Sequence, residues 1–321
     1  MPTVGIVLVN WNTADHTLRC VESVRNSRAQ DYRIYVVDNA SADDSVRRLT
    51  GLGEDVRLIA NARNDGWAGG VNIGVRAALA DACDHIFLLN NDAEVREDTI
   101  DRLLAAEAAL GPAIVLGCVV VDRRSGEMQF FGTANDPRSG TPRWFDVSTD
   151  ADRLANDYID SSMAYGAALF ARSDHFRRVG LFDERLFLNF EETDWCLRAR
   201  RAGLRCVIVR HAVVPHFTSA SIGGRDSPLQ HYFLCRNELL FGRMHCSPRQ
   251  RLVIAGRLAR ALARTIRAER GARSPAFPRS RAAARGMVDY VLRRFGDCPA
   301  HIRRLNAAWR ERIAAEGPPP A

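Results

Sequence analysis

Short apolar runs alternate with longer amphipathic segments along the first 121 residues. The runs have the length of β-strands, and the segments between them follow the helical period. The strands are predicted at 4–9, 34–37, 56–59, 86–89 and 114–121, and the helices at 17–24, 45–49, 70–82 and 99–110. Continuous apolar strands that alternate with helices are typical of a mostly parallel sheet covered by helices on both faces. We therefore predict an α/β fold.

The pattern changes after residue 121. Residues 122–158 are rich in turn formers and predict irregular loops with a hairpin around 129–132. A strand at 164–170 follows, with helices near 174–179 and 192–202. Beyond Pro228 the pattern is helical, with amphipathic helices around 252–266 and 283–313 joined by a linker at 271–281. We predict a first domain at 1–246, with halves at about 1–122 and 123–246, and a helical extension at 247–321.

Polar motifs directly follow four of the predicted strands. They are Asn10-Trp11-Asn12, Asp38-Asn39-Ala40-Ser41, the segment from Asn61 to Gly70, and Asn90-Asn91-Asp92. Because ligands bind at the carboxyl ends of parallel strands, we expect all four motifs to line one edge of the sheet. Each motif also has a purely structural interpretation, since Asn, Asp and Gly are common turn and cap residues.

These residue types predict specific chemistry. The Asp38 carboxylate can accept the ring N–H of uracil or thymine, and Gly66, Gly69 and Gly70 allow close approach of a nucleotide. Asp92 supplies an oxygen ligand for a divalent cation beside a diphosphate.

Two further elements are candidates for catalysis and metal binding. The run Glu191-Glu192-Thr193-Asp194 could hold a general base, although acidic residues also stabilise a helix start. His216, in the motif His216-Phe217-Thr218-Ser219-Ala220-Ser221, could be a neutral imidazole ligand, although most histidines are surface or packing residues.

Charge and cysteine content bear on the possible mechanism and on the cellular location. All 45 basic residues are Arg, which excludes a lysine-based mechanism. From Arg249 onward there are 17 Arg and 5 acidic residues, so the net charge is +12 there and −5 in residues 1–248. Eight scattered cysteines without a C-x-x-C pair predict buried reduced thiols and a cytoplasmic protein. No apolar run is long enough to span a membrane.

Taken together, these motifs resemble the family-2 glycosyltransferases of the GT-A fold, in particular their bacterial rhamnosyltransferase-like branch. The resemblance extends over about residues 3–245 and adds two longer matches to the motifs above. They are Asn64-Asp65-Gly66-Trp67-Ala68-Gly69-Gly70-Val71-Asn72-Ile73-Gly74, and Phe182-Asp183-Glu184 continuing to Phe190-Glu191-Glu192-Thr193-Asp194.

The resemblance implies an inverting sugar transfer from a nucleotide-sugar donor, dTDP-rhamnose-like or a UDP-sugar, with Mg²⁺ or Mn²⁺ as cofactor. Its implied donor site contains Asn10, Asn12, Asp38, Gly66, Asn72, Asn90, Asn91 and Asp92. Asp92 and His216 would hold the metal. Glu192 occupies the position of the base, and Glu191 stays an alternative. Asn90 replaces the first Asp of the usual D-x-D motif, which predicts either a weaker metal site or a contact to ribose instead.

Several partners and alternatives stay open. The acceptor could be a glycan, a lipid-linked sugar or a small molecule. A non-catalytic nucleotide-sugar-binding protein, or less readily a sugar nucleotidylyltransferase, is the alternative function. The Arg-rich tail could pack on the catalytic domain or a second subunit as a homo-oligomer, or rest on the inner face of an anionic membrane. Nucleic-acid binding is not expected, because no aromatic-interleaved motif accompanies the arginines.

Overall fold

The computed structural model describes residues 2–217, 226–271 and 277–316. Thr218 to Ser221 of the predicted His216 motif lie outside these ranges, as do residues 272–276 of the predicted linker and the Pro-rich end. Within the described ranges, no helix combines the length and apolar character needed to cross a bilayer.

Eleven strands occur among the described residues. They are β1 Val4–Asn10, β2 Tyr32–Asp38, β3 Val56–Ala60, β4 His85–Leu89, β5 Ile114–Asp122, β6 Met128–Phe130, β7 Thr133–Asn135, β8 Pro142–Trp144, β9 Tyr158–Ser161, β10 Ala168–Arg172 and β11 Arg205–His216. Nine of these strands form one sheet in the order β3-β2-β1-β4-β10-β5-β11-β9, with β6 paired to β5. The strands β7 and β8 form a separate hairpin.

The large sheet is mostly parallel, as predicted. The strands β3, β2, β1, β4, β5 and β11 run in one direction, whereas β10 is antiparallel to both of its neighbours. This inserted strand has a direct consequence for the site. Because β10 runs the opposite way, the residues just before it lie at the same sheet edge as the residues just after β1, β2 and β4.

Eleven α-helices of the described residues surround or follow the sheet. They are α1 Ala14–Arg25, α2 Ser45–Leu49, α3 Gly66–Ala80, α4 Thr99–Leu110, α5 Val147–Asp150, α6 Ser173–Val179, α7 Glu191–Arg201, α8 Pro228–His245, α9 Pro248–Gly271, α10 Pro278–Val291 and α11 Ala300–Glu316. One buried core joins the sheet to α1, α2 and α4, and a second joins it to α3, α6 and α7. Helices therefore cover both faces, which confirms the predicted fold class.

The chain forms two compact units. The first contains Met1–Asn135, Pro142–Glu184 and Glu191–Thr218, and the second contains Asp136–Thr141, Arg185–Phe190 and Ser219–Ala321. In the second unit, Phe187 packs with residues of α8, α10 and α11 in one buried cluster. The backbone of α10 comes so close to α8 that a Cβ on Gly286 would lie 2.3 Å from the Tyr232 carbonyl oxygen.

Three local predictions were wrong. Residues 129–132 do not form a hairpin, because β6 pairs back to β5 across the turn that follows Asp122. The strand β11 was missed; in it charged and apolar residues alternate irregularly, and its register shifts between Val209 and Val213. The helix predicted at 283–313 is two helices, because the chain turns at Gly296, whose φ is +81°, and α11 begins only at Ala300.

Candidate active site

The ends of β1 and β2 bring Asn10 and Asp38 side by side. The two residues are paired in the parallel register, and both side chains are buried. The Asp38 carboxylate accepts hydrogen bonds from Asn10 Nδ2 at 2.7 Å, from Ser41 Oγ at 2.6 Å and from the Ser41 N–H at 3.0 Å. A carboxylate has about four lone-pair positions. One position on Oδ2 is therefore left for a ligand.

Asn12 and Asn91 extend this network in two directions. Asn12, with a left-handed φ of +54°, accepts the Ala42 N–H at 2.7 Å and so joins the turns after β1 and β2. Asn91 Nδ2 donates to Thr17 Oγ1 at 2.9 Å, and that hydroxyl donates to Asn10 Oδ1 at 2.8 Å. The motifs after β1, β2 and β4 thus form one hydrogen-bonded layer.

The third motif joins this layer through Asn39. Its amide donates to the Gly66 carbonyl at 2.8 Å and to Asn64 Oδ1 at 3.1 Å, and its oxygen accepts from Asn61 Nδ2 at 3.0 Å. Gly66 has a φ of +73°, a conformation that favours glycine. All four strand-end motifs are therefore in contact at one edge of the sheet.

Asp92 and His216 form a buried pair at the centre of this edge. His216 Nε2 lies 3.0 Å from Asp92 Oδ1. Gln129 Nε2 donates to Asp122, so Gln129 Oε1 faces His216 Nδ1 at 3.2 Å and can accept the proton of that nitrogen.

Asn90 faces the ring from the other side. Trp67 Nε1 donates to Asn90 Oδ1 at 2.9 Å, which turns Asn90 Nδ2 toward His216 Nε2 at 3.3 Å. His216 Nε2 therefore faces both Asn90 and Asp92 Oδ1. An imidazole whose other nitrogen donates to a carbonyl is the usual arrangement of a metal ligand.

This pair suits a divalent cation, because oxygen and imidazole ligands together accept Mn²⁺ or Mg²⁺. Among residues 2–217, 226–271 and 277–316, no cluster of three or more His, Cys, Asp or Glu side chains surrounds a single point. Asp92 and His216 could thus contribute only part of a coordination shell.

Glu192 lies in the first turn of α7, and Gly166, just before β10, is its neighbour. A Cβ on Gly166 would stand 3.3 Å from the Trp67 ring, which is a tight contact, and 3.6 Å from the Glu192 carboxyl carbon, which is an ordinary one. Burial raises the pKa of Glu192, although backbone N–H groups, that of Gly166 included, act in the opposite direction. Within the described part of the chain, Glu192 Oε2 is shielded from solvent and has no hydrogen-bond partner. Glu191, at the helix start, is buried as well.

Asn72 has a different set of contacts from the other motif residues. Its amide donates to the Phe182 carbonyl at 3.0 Å and to Glu184 Oε1 at 2.9 Å, and its oxygen accepts the Phe182 N–H at 2.9 Å. Asn72 therefore holds the loop that contains Phe182 and Glu184.

Two glycines of the same motif allow α3 to pack on β1. A Cβ on Gly70 would lie 2.8 Å from Val9, and a Cβ on Gly74 would lie 2.3 Å from Val7. Close helix packing, which the sequence analysis did not consider, thus accounts for both residues.

Four neighbours of these residues are not predicted by the sequence pattern: Trp67, Gln129, Tyr165 and Gly166. Trp67 belongs to the motif that begins at Asn64, but its residue type alone does not indicate a role. Gln129 lies in a segment that was predicted to be a hairpin. Tyr165 and Gly166 lie within the predicted strand 164–170, whereas the observed strand begins at Ala168. A correct prediction of the direction of β10 would have pointed to the last two.

Comparison with known proteins identifies the family. The sequence profile of Glycosyl transferase family 2 matches residues 5–177, more than half of the chain. The chain belongs to this family. The enzyme is therefore a glycosyltransferase, and its resemblance to the rhamnosyltransferase-like branch is supported by two curated relatives.

The first relative is the dTDP-rhamnosyl transferase RfbF of Shigella flexneri, which is 26% identical over 75% of this chain and 80% of its own length. The second is the N-acetylglucosaminyl-diphospho-decaprenol L-rhamnosyltransferase of Mycobacterium tuberculosis, which is 26% identical over 70% of this chain and 79% of its own length. Both alignments extend beyond the family profile.

Solved structures confirm the GT-A architecture of this family-2 member. A mannosyltransferase from Pyrobaculum calidifontis, in complex with GDP-Man and Mn²⁺, superposes with a TM-score of 0.57 at 14% identity and covers 90% of this chain and 87% of its own. GalNAc-T7 with UDP, GalNAc and Mn²⁺ gives the same TM-score at 17% identity, over 67% of this chain and 44% of its own.

Proposed function

We propose that this glycosyltransferase transfers rhamnose or a similar sugar from a dTDP-sugar, or from a UDP-sugar, to an acceptor hydroxyl with inversion at the anomeric carbon. The observation that carries the proposal is the continuous contact from Asp38 through Asn10 and Asn91 to the Asp92–His216 pair. It offers a base-binding carboxylate and a cation-binding pair on one sheet edge. The name of the Shigella relative supports a dTDP-rhamnose donor.

Asp38 binds the nucleotide base in this proposal. Its remaining lone pair on Oδ2 accepts the ring N–H of thymine or uracil, while Asn10 and Ser41 fix the carboxylate. Asn12, Gly66 and Asn91 shape the surrounding turns. Asn72 contributes indirectly, by holding the loop that contains Phe182 and Glu184.

Asp92 and His216 would hold Mg²⁺ or Mn²⁺ in this proposal, and Asn90 lies beside the His216 ring. When bound, the cation would neutralise the diphosphate of the donor and so stabilise it as a leaving group.

Glu192 acts as the general base. Its Oε2 takes the proton of the acceptor hydroxyl, the acceptor oxygen forms a bond to the anomeric carbon, and the bond from that carbon to the nucleoside diphosphate breaks. Burial suits this role, because the raised pKa makes the carboxylate a stronger base. The mechanism has no covalent enzyme intermediate and therefore inverts the configuration.

We also propose a glycan or lipid-linked acceptor, in line with the name of the mycobacterial relative. The catalytic domain is proposed to span 1–246, with a nucleotide half at 1–122 and an acceptor half at 123–246. The extension at 247–321 would contact a membrane surface or a second copy of the chain. A cytoplasmic location agrees with eight cysteines that are all buried thiols.

One experiment tests donor and metal together. Purified protein is screened against dTDP-, UDP- and GDP-sugars with and without Mn²⁺, and both the melting temperature and the release of nucleoside diphosphate are measured. We expect the largest stabilisation from a dTDP-sugar with Mn²⁺. The Asp92→Ala variant should lose most turnover, roughly a hundredfold or more. Asp174→Ala, at an exposed aspartate that pairs with Arg177, is the matched control. Near-normal donor consumption by Asp92→Ala would reject the metal assignment.

A further inference from the structure

Three aromatic rings pack together beside the candidate site. The ring centroids of Phe130 and Trp144 are 5.2 Å apart, those of Phe130 and Tyr165 are 5.3 Å apart, and those of Trp144 and Tyr165 are 5.1 Å apart. Phe130 is buried, whereas Trp144 is 40% exposed. The cluster therefore presents one large aromatic side chain to solvent.

Strand pairing and neighbouring hydrogen bonds hold the backbone around Trp144. Its strand β8 pairs with β7, where Trp144 lies opposite Thr133. The preceding Arg143 binds Asp150 through two hydrogen bonds of 2.9 and 3.1 Å. A side chain held in this way loses little conformational entropy when it binds a ligand.

The sheet order gives the position of the cluster relative to the nucleotide site. Asp38 ends β2, and Tyr165 lies just before β10, which is three strands away along the order β2-β1-β4-β10. Three strand spacings are about 14 Å. The Tyr165 ring also contacts the His216 ring, with centroids 6.2 Å apart. The aromatic cluster thus lies on the β10 side of Asp92, away from Asp38 and next to His216.

This is where an acceptor must enter. A donor whose base contacts Asp38 and whose diphosphate contacts Asp92 points its sugar toward the β10 side of the edge. Glu192, next to Gly166, lies on that side, and Tyr165 is the chain neighbour of Gly166. Trp144 lies beyond Tyr165 and is open to solvent.

We propose that Trp144, backed by Tyr165, binds the acceptor through the apolar face of a pyranose ring, so that the acceptor of this enzyme is a carbohydrate. The inference rests on the proposed function, because the acceptor side is defined by the roles of Asp38 and Glu192. A sugar ring has one face of C–H groups and a rim of hydroxyls, and the C–H face matches a single exposed indole. An aliphatic chain would need a larger continuous apolar surface.

Kinetics test the proposal with Trp144→Ala and Trp144→Phe. The donor is dTDP-rhamnose, and the acceptor probes are methyl and octyl β-N-acetylglucosaminide. We expect Trp144→Ala to raise the acceptor KM about tenfold for both probes, Trp144→Phe to restore part of the affinity, and the donor KM to stay within about twofold. The control is Tyr158→Ala, because Tyr158 is 39% exposed but lies on β9, at the end of the sheet.

A binding measurement makes the test independent of turnover. Saturation-transfer NMR is recorded with the same methyl glycoside and with methyl α-rhamnopyranoside, in the presence of dTDP and Mn²⁺. Wild-type protein should saturate the protons of one ring face, and Trp144→Ala should not. Saturation without turnover would support sugar binding at Trp144 while rejecting the proposed function. Three results would overturn sugar binding at Trp144: turnover with an unchanged acceptor KM in Trp144→Ala, a rise in the donor KM, or an effect on the octyl probe alone.

Discussion

Two opposing effects act on the pKa of the Glu192 carboxyl group. Backbone N–H groups stabilise its charged form, whereas burial stabilises its neutral form and has the larger effect, so the pKa is raised. The folded protein therefore holds this proton more tightly than the unfolded chain. The corresponding contribution to stability is complete below the ordinary pKa of 4.5 and is lost as the pH rises through the raised value. Above the raised value, ionised Glu192 weakens the fold.

Because the ionised carboxylate destabilises the fold, Glu192→Gln should have opposite effects on activity and on stability. We expect kcat to fall by about 10²–10⁴, the usual contribution of a general base. The melting temperature at pH 8 should stay equal or rise, because the buried charge is gone. In wild-type enzyme, kcat should decline toward acid pH with a midpoint above that of an ordinary glutamate.

Glu191→Gln is the matched comparison, since Glu191 is the preceding residue of the same helix. Retention of most activity in Glu191→Gln assigns the base to Glu192, and the reverse pattern assigns it to Glu191. Full activity in both variants would leave neither carboxylate as the base.

At the residue scale, the sequence predicted the polar residues at strand ends better than the residues that pack around them. Asp38, Asn10 and Asp92 follow directly after strands, so their shared position can be read from the chain. Gln129 contacts the His216 ring, and Gly166 packs closely against Trp67 beside Glu192. Such roles depend on contacts between distant segments, which the pattern along the chain does not contain.

At the scale of elements, the turn before α7 has an unusual backbone. Phe187, Asn189 and Phe190 all have a positive φ, between 60° and 74°. Side chains other than glycine rarely adopt this conformation, and each such residue costs about 1–3 kcal/mol. Within the second unit, the turn is held by Asn237 of α8. Its Nδ2 donates to the carbonyl oxygens of Leu186, Leu188 and Asn189 at 2.5, 2.7 and 3.0 Å.

Asn237→Ala should therefore destabilise the second unit strongly. Buried carbonyl groups would lose their donor, and we expect a loss of about 2–4 kcal/mol in the free energy of unfolding. Tyr232→Phe, on the same helix, removes the 2.8 Å hydrogen bond to the Asp289 carboxylate and the 3.5 Å bond that Tyr232 accepts from Arg236, and should cost about 1–2 kcal/mol. Urea denaturation followed by circular dichroism compares the two. Equal losses would mean that the turn does not depend on Asn237.

At this scale, the strands could be predicted from the sequence, but the direction of β10 could not. The parallel strands β1 to β5 were predicted from apolar runs. The direction of β10 follows from its insertion between β4 and β5, a tertiary contact with no local signal. The same reason explains why the four predicted motifs met at one edge while the residues before β10 were overlooked.

At the scale of the whole molecule, charge is divided along the sequence. The exposed residues Arg260, Arg264 and Arg267 share one side of α9 and, with Arg257 and Ala263, line a groove of about 490 Å³. The opposite side of α9 buries Ile254 and Leu258. Packing within the second unit and an outward basic surface therefore coexist on one helix.

This surface should bind anionic membranes. Replacing Arg260, Arg264 and Arg267 by Gln should weaken cosedimentation with phosphatidylserine vesicles roughly a hundredfold at low salt, since each Arg contributes about 1 kcal/mol. A triple variant at Arg47, Arg177 and Arg205, which are exposed and already paired with acidic residues, is the control. Equal vesicle binding by both triple variants would favour the subunit or packing role of the tail.

The rate at which the buried cysteines are alkylated can report local opening of the protein. Five thiols lie in the first unit and three, those of Cys235, Cys246 and Cys298, lie in the second. A thiol-specific alkylating agent can reach them only when the surrounding structure opens. Timed alkylation followed by peptide mass spectrometry would therefore report how often each unit opens, without any engineered label.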